Sequence, residues 1–280
     1  MMAELMVFLG VFSLLAIVPG PAFSRTTPVP AHARHAPDLP DWTAGPSSLP
    51  SPELRPIVID PGHGGRDLGA VVGSRQEKDI ALAIARKLRS RLQELGLSQV
   101  RLTRDSDDFI PLDGRVQETS SWDGALFISL HANKVFRRSL HGITVYFFGA
   151  GSGRSDRRHR HLRHHSKVPP LPAPPQEQVR ASGRLAASLV SGLRREGFRV
   201  EPLARAQYYV LKNPRTPSLL VELGYLSNPA EAKLLDNPAY QDRLAETLAK
   251  SLVSHLAQQG RDLGPGRAAL LHAKAPDVAR

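Results

Sequence analysis

Interpretable patterning of apolar and polar positions fills the stretch from about Arg55 to Gln259. PIVID (Pro56 to Asp60) is a short β-branched run that predicts a strand, and it leads straight into the Gly-rich turn PGHGGRD. From Asp79 the apolar positions Ile80, Ile84, Leu88, Leu92 and Leu95 recur at helical spacing, with Lys and Arg elsewhere and Gly96 as a C-terminal stop. A strand around Gln99 to Leu102, a loop and a short helix near Leu112 to Thr119 come next. The strongly apolar strand ALFISL (Ala125 to Leu130) follows, ended by His131. GITVYFF (Gly142 to Phe148) predicts a further strand, Ala181 to Arg195 a helix, and SLLVE (Ser218 to Glu222) a buried strand. Tyr240 to His255 reads as a closing helix with Leu244, Leu248 and Leu252 on one face. Strands alternating with helices predict an α/β fold: a single-domain sandwich with a largely parallel twisted sheet flanked by helices, over residues 56–259.

The flanks carry a different pattern. Residues 1–24 hold an apolar stretch from Leu5 to Val18, then Pro19, Gly20 and Pro21, then Ala22-Phe23-Ser24, the arrangement of a secretory signal peptide. Its n-region has Glu4 and no Lys or Arg, which leaves an uncleaved anchor or a misassigned start codon as the alternatives. The apolar run is short for a membrane span, so none is expected once the signal is removed. Residues 25–55 are rich in Pro, Ala and Ser without periodicity and read as an extended linker. Residues 150–179 read as a basic, Pro-rich loop, and 260–280 as a flexible tail.

Composition narrows the chemistry. There is no Cys, which excludes disulfides, thiolate zinc sites, a Cys nucleophile and a lipid-modified N-terminal Cys. The formal net charge of +11 raises the question of nucleic acid. Much of the excess, however, sits in one irregular stretch, Arg154 to Lys167, with no recognition helix and no interleaved aromatics, so no nucleic-acid partner is expected. Attraction to an anionic envelope polymer accounts for the charge equally well. RRHRHLRHHSK (Arg157 to Lys167) has four His, but no carboxylate or fixed element frames them, and a solvated basic loop is the better account.

Functional groups in an open α/β sheet gather beyond the C-terminal ends of the strands. His63, His131 and Glu222 fall at or just past such ends, and Glu77 precedes the first helix on the same rim. Two His and one Glu are an established catalytic zinc set that leaves a coordination position for water. His63, Glu77 and His131 meet that description, and Glu222 is the candidate carboxylate to move a proton to a leaving amine. Gly62, Gly64 and Gly65 are expected to let the loop turn tightly, and Arg66 and Asp67 to orient it. Asn133 reads mainly as support for the strand end. Arg104 and Arg115 are open between ion pairing and holding substrate carboxylates.

Four stretches in order, IVIDPGHGGRDLGA, QEKDIALAIARKL, LFISLHAN and PSLLVELGYLSNPAEAKLL, closely resemble the zinc-dependent N-acetylmuramoyl-L-alanine amidases of the amidase 3 family. The resemblance implies Zn2+ bound by His63, Glu77 and His131, with Glu222 catalytic. It also implies peptidoglycan as substrate, cut at the amide between N-acetylmuramic acid and the L-alanine of the stem peptide. Such a substrate implies export, to the periplasm or cell envelope or outside the cell. Nothing in the pattern houses a separate wall-targeting domain. The interval after the HAN strand, where several relatives carry a blocking helix that a partner displaces, is short, basic and Pro-rich here, so an activator protein is not expected. Glu118-Thr119-Ser120 departs from the small-residue and Asn pattern common in the family. The competing readings are a zinc peptidase acting within the stem, which usually shows an HExxH that this chain lacks, and an inactive wall-binding homologue, which predicts a missing ligand.

Overall fold

The computed structural model describes residues 55–151 and 170–262, with side chains to residue 259. Residues 1–54, read as signal peptide and linker, the His-rich run and residues 263–280 fall outside the described residues, while 260–262, read as the start of the tail, continue the last helix. A six-stranded sheet is built from β1 (Ile57–Pro61), β4 (Val100–Leu102), β5 (Leu126–Asn133), β6 (Thr144–Phe148), β7 (Ala204–Ala206) and β8 (Ser218–Tyr225), in the order β4-β1-β5-β8-β6-β7. The strands β4, β1, β5 and β8 run parallel; β6 runs antiparallel to β8 and parallel to β7. A two-stranded ribbon, β2 (Val71–Val72) with β3 (Arg75–Gln76), leads into α1 (Glu77–Glu94). The remaining helices are α2 (Leu112–Ser121), α3 (Gln176–Arg195), α4 (Pro229–Leu235) and α5 (Pro238–Asp262), with a 3-10 turn at Tyr209–Leu211. None among the described residues is long and apolar enough to cross a membrane.

Strand parity decides the layers, because successive side chains alternate faces. Ile57, Ile59, Leu126, Ile128, Leu219 and Val221 pack with Ile80, Ile84 and Leu88 of α1, Leu185 and Leu189 of α3, and Leu244 and Leu248 of α5. Val58, Phe127, Tyr146 and Leu220 point the other way, onto Val210 and Leu211. Each fully buried Leu, Ile or Phe contributes about 1.5–3 kcal/mol, so the helical layer carries most of the hydrophobic stabilisation. At the end of α1, Gly96 takes φ 89° and donates to the Gln93 carbonyl while Leu97 donates to that of Leu92, which closes the helix in a left-handed stop.

Several boundaries move from their predicted places. α1 begins two residues earlier than the apolar spacing suggests, at Glu77, and α3 begins at Gln176, inside the stretch read as loop. His131 does not end its strand: β5 runs on to Asn133 with an irregular register between the two, and β8 continues past Glu222 to Tyr225. Both strands keep a partner where the sequence turns polar, so pairing outlasts the apolar run. α4 was hidden by its shortness; Asn228 caps it, accepting from the Ala230 and Glu231 amides, with Pro229 in the first turn.

Candidate functional site

The chain leaves β1 through Pro61 and Gly62 into a turn closed by two backbone bonds between Gly64 and Asp67, of 2.8 and 3.1 Å. His63 sits in the left-handed region at φ 59°, a conformation that costs a non-glycine residue about 1–2 kcal/mol and is held by the loop around it. Gly62 faces the imidazole of His131 so closely that an added Cβ would lie 2.4 Å from Cε1. The absent side chain is therefore a packing requirement, stricter than the turning role expected of it. Gly69, at φ 65°, is equally constrained: its Cβ would meet His63 and the Glu77 carboxylate at 2.6 and 2.7 Å.

Glu77 opens α1, yet its carboxylate turns to the strand ends. Oε2 accepts from the Ala70 amide at 2.7 Å, and Oε1 from the Ala132 amide at 3.0 Å. The same Oε1 lies 2.9 Å from His131 Nδ1 and 3.2 Å from His63 Nε2. The two rings meet edge to face with centroids 4.9 Å apart. One ligand atom from each of His63, Glu77 and His131 falls within 4.8 Å of the others. Behind His63, Asp67 Oδ2 stands 2.9 Å from Nδ1, off the line of a good hydrogen bond, and Asp67 Oδ1 accepts from the Gly69 amide.

The electrostatics follow from this crowding. Burial works against a charged His63, but the carboxylates of Asp67 and Glu77 outweigh it and raise the imidazole to about 10. Burial likewise opposes ionised Glu77, and the two imidazoles overcome it, holding the carboxyl well below the usual range. Among the described residues no Lys or Arg pairs with Glu77, so in the metal-free protein a proton on His63 supplies the balancing charge. Two imidazole nitrogens and a carboxylate oxygen around one point are the nitrogen and oxygen donor set of a divalent zinc site, and the fit is good.

Glu222 stands directly across from His131 in the β5–β8 register. It is 6% exposed and its Oε2 has no hydrogen-bond partner. Burial first, and the Glu77 charge second, push its carboxyl well above the ordinary 4.5, with His63 opposing. A buried polar atom without a partner costs about 1–3 kcal/mol, and such costs persist at functional sites.

The structure thus brings the four predicted residues onto one rim. Arg115 resolves into an ion pair with Asp60, while Arg104 spends its donors on backbone carbonyls. Asn133 is buried, and its carbonyl accepts from the Leu226 amide. Arg66 lies over the Phe109 ring, 4.1 Å from its centroid. The backbone donors of Ala70 and Ala132 and the tight fit at Gly69 had no sequence signal beyond the Gly itself, because amide directions depend on the ribbon and the strand irregularity. The basic run Arg157 to Lys167 lies outside the described residues.

A family model described as N-acetylmuramoyl-L-alanine amidase matches residues 57–254. N-acetylmuramoyl-L-alanine amidase AmiC of Neisseria meningitidis serogroup B is 32% identical over 221 residues, covering 72% of this chain and 53% of its own length. The chain thus spans about half of that relative. The germination-specific N-acetylmuramoyl-L-alanine amidase of Bacillus subtilis is 29% identical over 218 residues, covering 73% of this chain and 81% of its own. Among solved structures, N-acetylmuramoyl-L-alanine amidase AmiC2 of Nostoc punctiforme matches with a TM-score of 0.56 at 29% identity, over 73% of this chain and 97% of that one. The CwlD amidase of Clostridioides difficile, solved in complex with the GerS lipoprotein, matches at 0.57 and 27% identity, over 73% of this chain and 99% of that one. With the family model matched across residues 57–254, the chain belongs to the N-acetylmuramoyl-L-alanine amidase family.

Proposed function

We propose that the chain is an exported, zinc-dependent peptidoglycan hydrolase that cleaves the amide between the lactyl group of N-acetylmuramic acid and the L-alanine of the stem peptide. The observation that carries this is the convergence of the His63, Glu77 and His131 donors beside a buried, unpartnered Glu222 carboxyl. Zinc held by those three residues supplies Lewis-acid polarisation of the amide carbonyl and a water acidic enough to attack near neutral pH. The protein's own groups do the rest. The Ala70 and Ala132 amides fix both Glu77 oxygens, and Asp67 backs the His63 ring so that Nε2 faces the site. Glu222 holds and moves the proton. Its carboxylate takes one from the attacking water as the new C–O bond forms, and returns it to the alanine nitrogen as the C–N bond breaks. Burial and, after it, the Glu77 charge raise its carboxyl, so neutralising that charge lowers it again and eases proton release.

The 1–24 segment is read as the export signal, since the substrate lies outside the cytoplasmic membrane. The test is digestion of purified sacculi by the residue 25–280 protein, alone and with chelator, with products identified by mass. Stem peptides released from intact glycan, abolished by chelator and restored by zinc, are expected. Shortened stems still attached to sugar would instead make it a peptidase, and activity only with added partner would require an activator. Glu222→Gln is expected to keep zinc and lose turnover, whereas His63→Ala loses both; an active Glu222→Gln would remove Glu222 from its role.

A further inference from the structure

Beneath the His63 loop lies a cluster of buried charge that the hydrolysis does not use. Arg104 and Arg115 are each 3% exposed and Asp60 is fully buried. Asp60 accepts from Thr103 Oγ1 and Ser129 Oγ, both at 2.6 Å, and pairs with Arg115. Arg115 also donates to the carbonyls of Pro61 at 2.9 Å, His63 at 2.6 Å and Ile110 at 3.1 Å. Arg104 faces no carboxylate at ion-pair distance among the described residues. It donates to four carbonyls instead: Pro61 at 3.0 Å, Gly62 at 2.9 Å, Lys78 at 2.8 Å and Ser106 at 2.9 Å.

Burying a guanidinium without a counterion costs several kcal/mol before its hydrogen bonds are counted, and an apolar side chain of the same volume avoids that cost. What the apolar side chain lacks is the fork. One Nη2 of Arg104 bonds both Gly62, next to the His63 ligand, and Lys78, next to the Glu77 ligand, so a single rigid plane spans the two ligand-bearing segments. The loop is shaped to it: a Cβ on Gly64 would lie 2.8 Å from Arg104 Nε. Arg115 holds the carbonyl of His63 itself, and through Asp60 and Ser129 it is tied to β5, two residues before His131. Both guanidinium groups are buried and already serve the protein's own acceptors, backbone carbonyls for Arg104 and backbone carbonyls with Asp60 for Arg115.

We propose that Arg104 and Arg115 are positioning residues that set the spacing of the His63, Glu77 and His131 donors, so that they govern metal affinity and not substrate recognition. This rests on the metal reading of the site. The experiment is competition for zinc between a chromophoric chelator and the residue 25–280 protein, as wild type, Arg104→Lys, Arg115→Lys and Leu248→Ala. Lys keeps the charge but cannot reproduce the fork. Zinc affinity is expected to fall about 10–100-fold in either Lys variant, the range for lost outer-shell support. At saturating zinc, KM for a muropeptide stays within about two-fold while kcat falls. Leu248→Ala, a core truncation on α5 that touches none of the ligand-bearing loops' hydrogen bonds, is expected to lower the melting temperature without changing zinc affinity. Arg115→Lys is read by the same criteria should Arg104→Lys not fold. Lys variants that bind zinc like wild type overturn the proposal, as does a raised KM with unchanged kcat. A wild-type protein that binds no zinc overturns the metal reading with it.

Discussion

Replacing Gly62 by Ala tests the site with one carbon atom. Its backbone is outside the left-handed region, so Ala brings no torsional penalty there, and the whole effect is steric. The new Cβ would stand 2.4 Å from His131 Cε1, 2.6 Å from Nε2 and 2.7 Å from Nδ1, where ordinary contact begins at 3.4 Å. The ring must therefore retreat by about 1 Å, and its 19% exposed side chain lets it do so without unfolding the strand. A misplacement of that size in a catalytic group costs on the order of 10²-fold, which is about 2.7 kcal/mol of transition-state stabilisation. We expect Gly62→Ala to lose roughly that much kcat/KM on muropeptide and to bind zinc about 10–100-fold more weakly. The matched control is Gly73→Ala. Gly73 has no atoms within 4 Å of its virtual Cβ but sits at φ 62°, so Ala there adds backbone strain of about 1–2 kcal/mol without touching the site. It should lower the melting temperature and leave zinc affinity alone. Wild-type zinc affinity and turnover in Gly62→Ala would refute the reasoning, and so would an equal loss in Gly73→Ala.

Two further predictions use the electrostatics of the metal-free site. Because His63 titrates near 10 there, it is protonated at pH 7, so zinc must displace a proton; calorimetry in buffers of different ionisation enthalpy should find about one released, with affinity rising through neutral pH. Zero protons released would remove the His63–Glu77–Asp67 ion cluster as described. Glu222 has its carboxyl raised, so the unfolded chain ionises near 4.5 while the folded one stays protonated, and stability is lost as pH rises above that value. Metal-free Glu222→Gln should accordingly melt higher than metal-free wild type at pH 7 and equally at pH 4. Each unit of elevation is about 1.4 kcal/mol, or about 3–6 °C for a domain of this size. Equal melting at both pH values would deny the elevation.

Much of this protein is determined by the sequence alone. Short apolar, β-branched runs and period-3.6 spacing are local signals, so PIVID, ALFISL and the Ile80–Leu92 spacing are read as strands and helix from the sequence, and their alternation as an α/β sandwich. His63, Glu77, His131 and Glu222 are legible because each lies beside such an element and within a stretch resembling one family. The tertiary structure decided what depends on direction. It set the strand order that runs β8 beside β5 and so places Glu222 opposite His131. It decided that the Ala70 and Ala132 amides aim at Glu77, and that Gly62 is glycine because an imidazole occupies its Cβ space. Arg104 and Arg115 show the limit best. A guanidinium suits a carboxylate, a phosphate or a carbonyl equally in sequence, and only the fold around it, by burying the fork against the His63 loop, chooses among them.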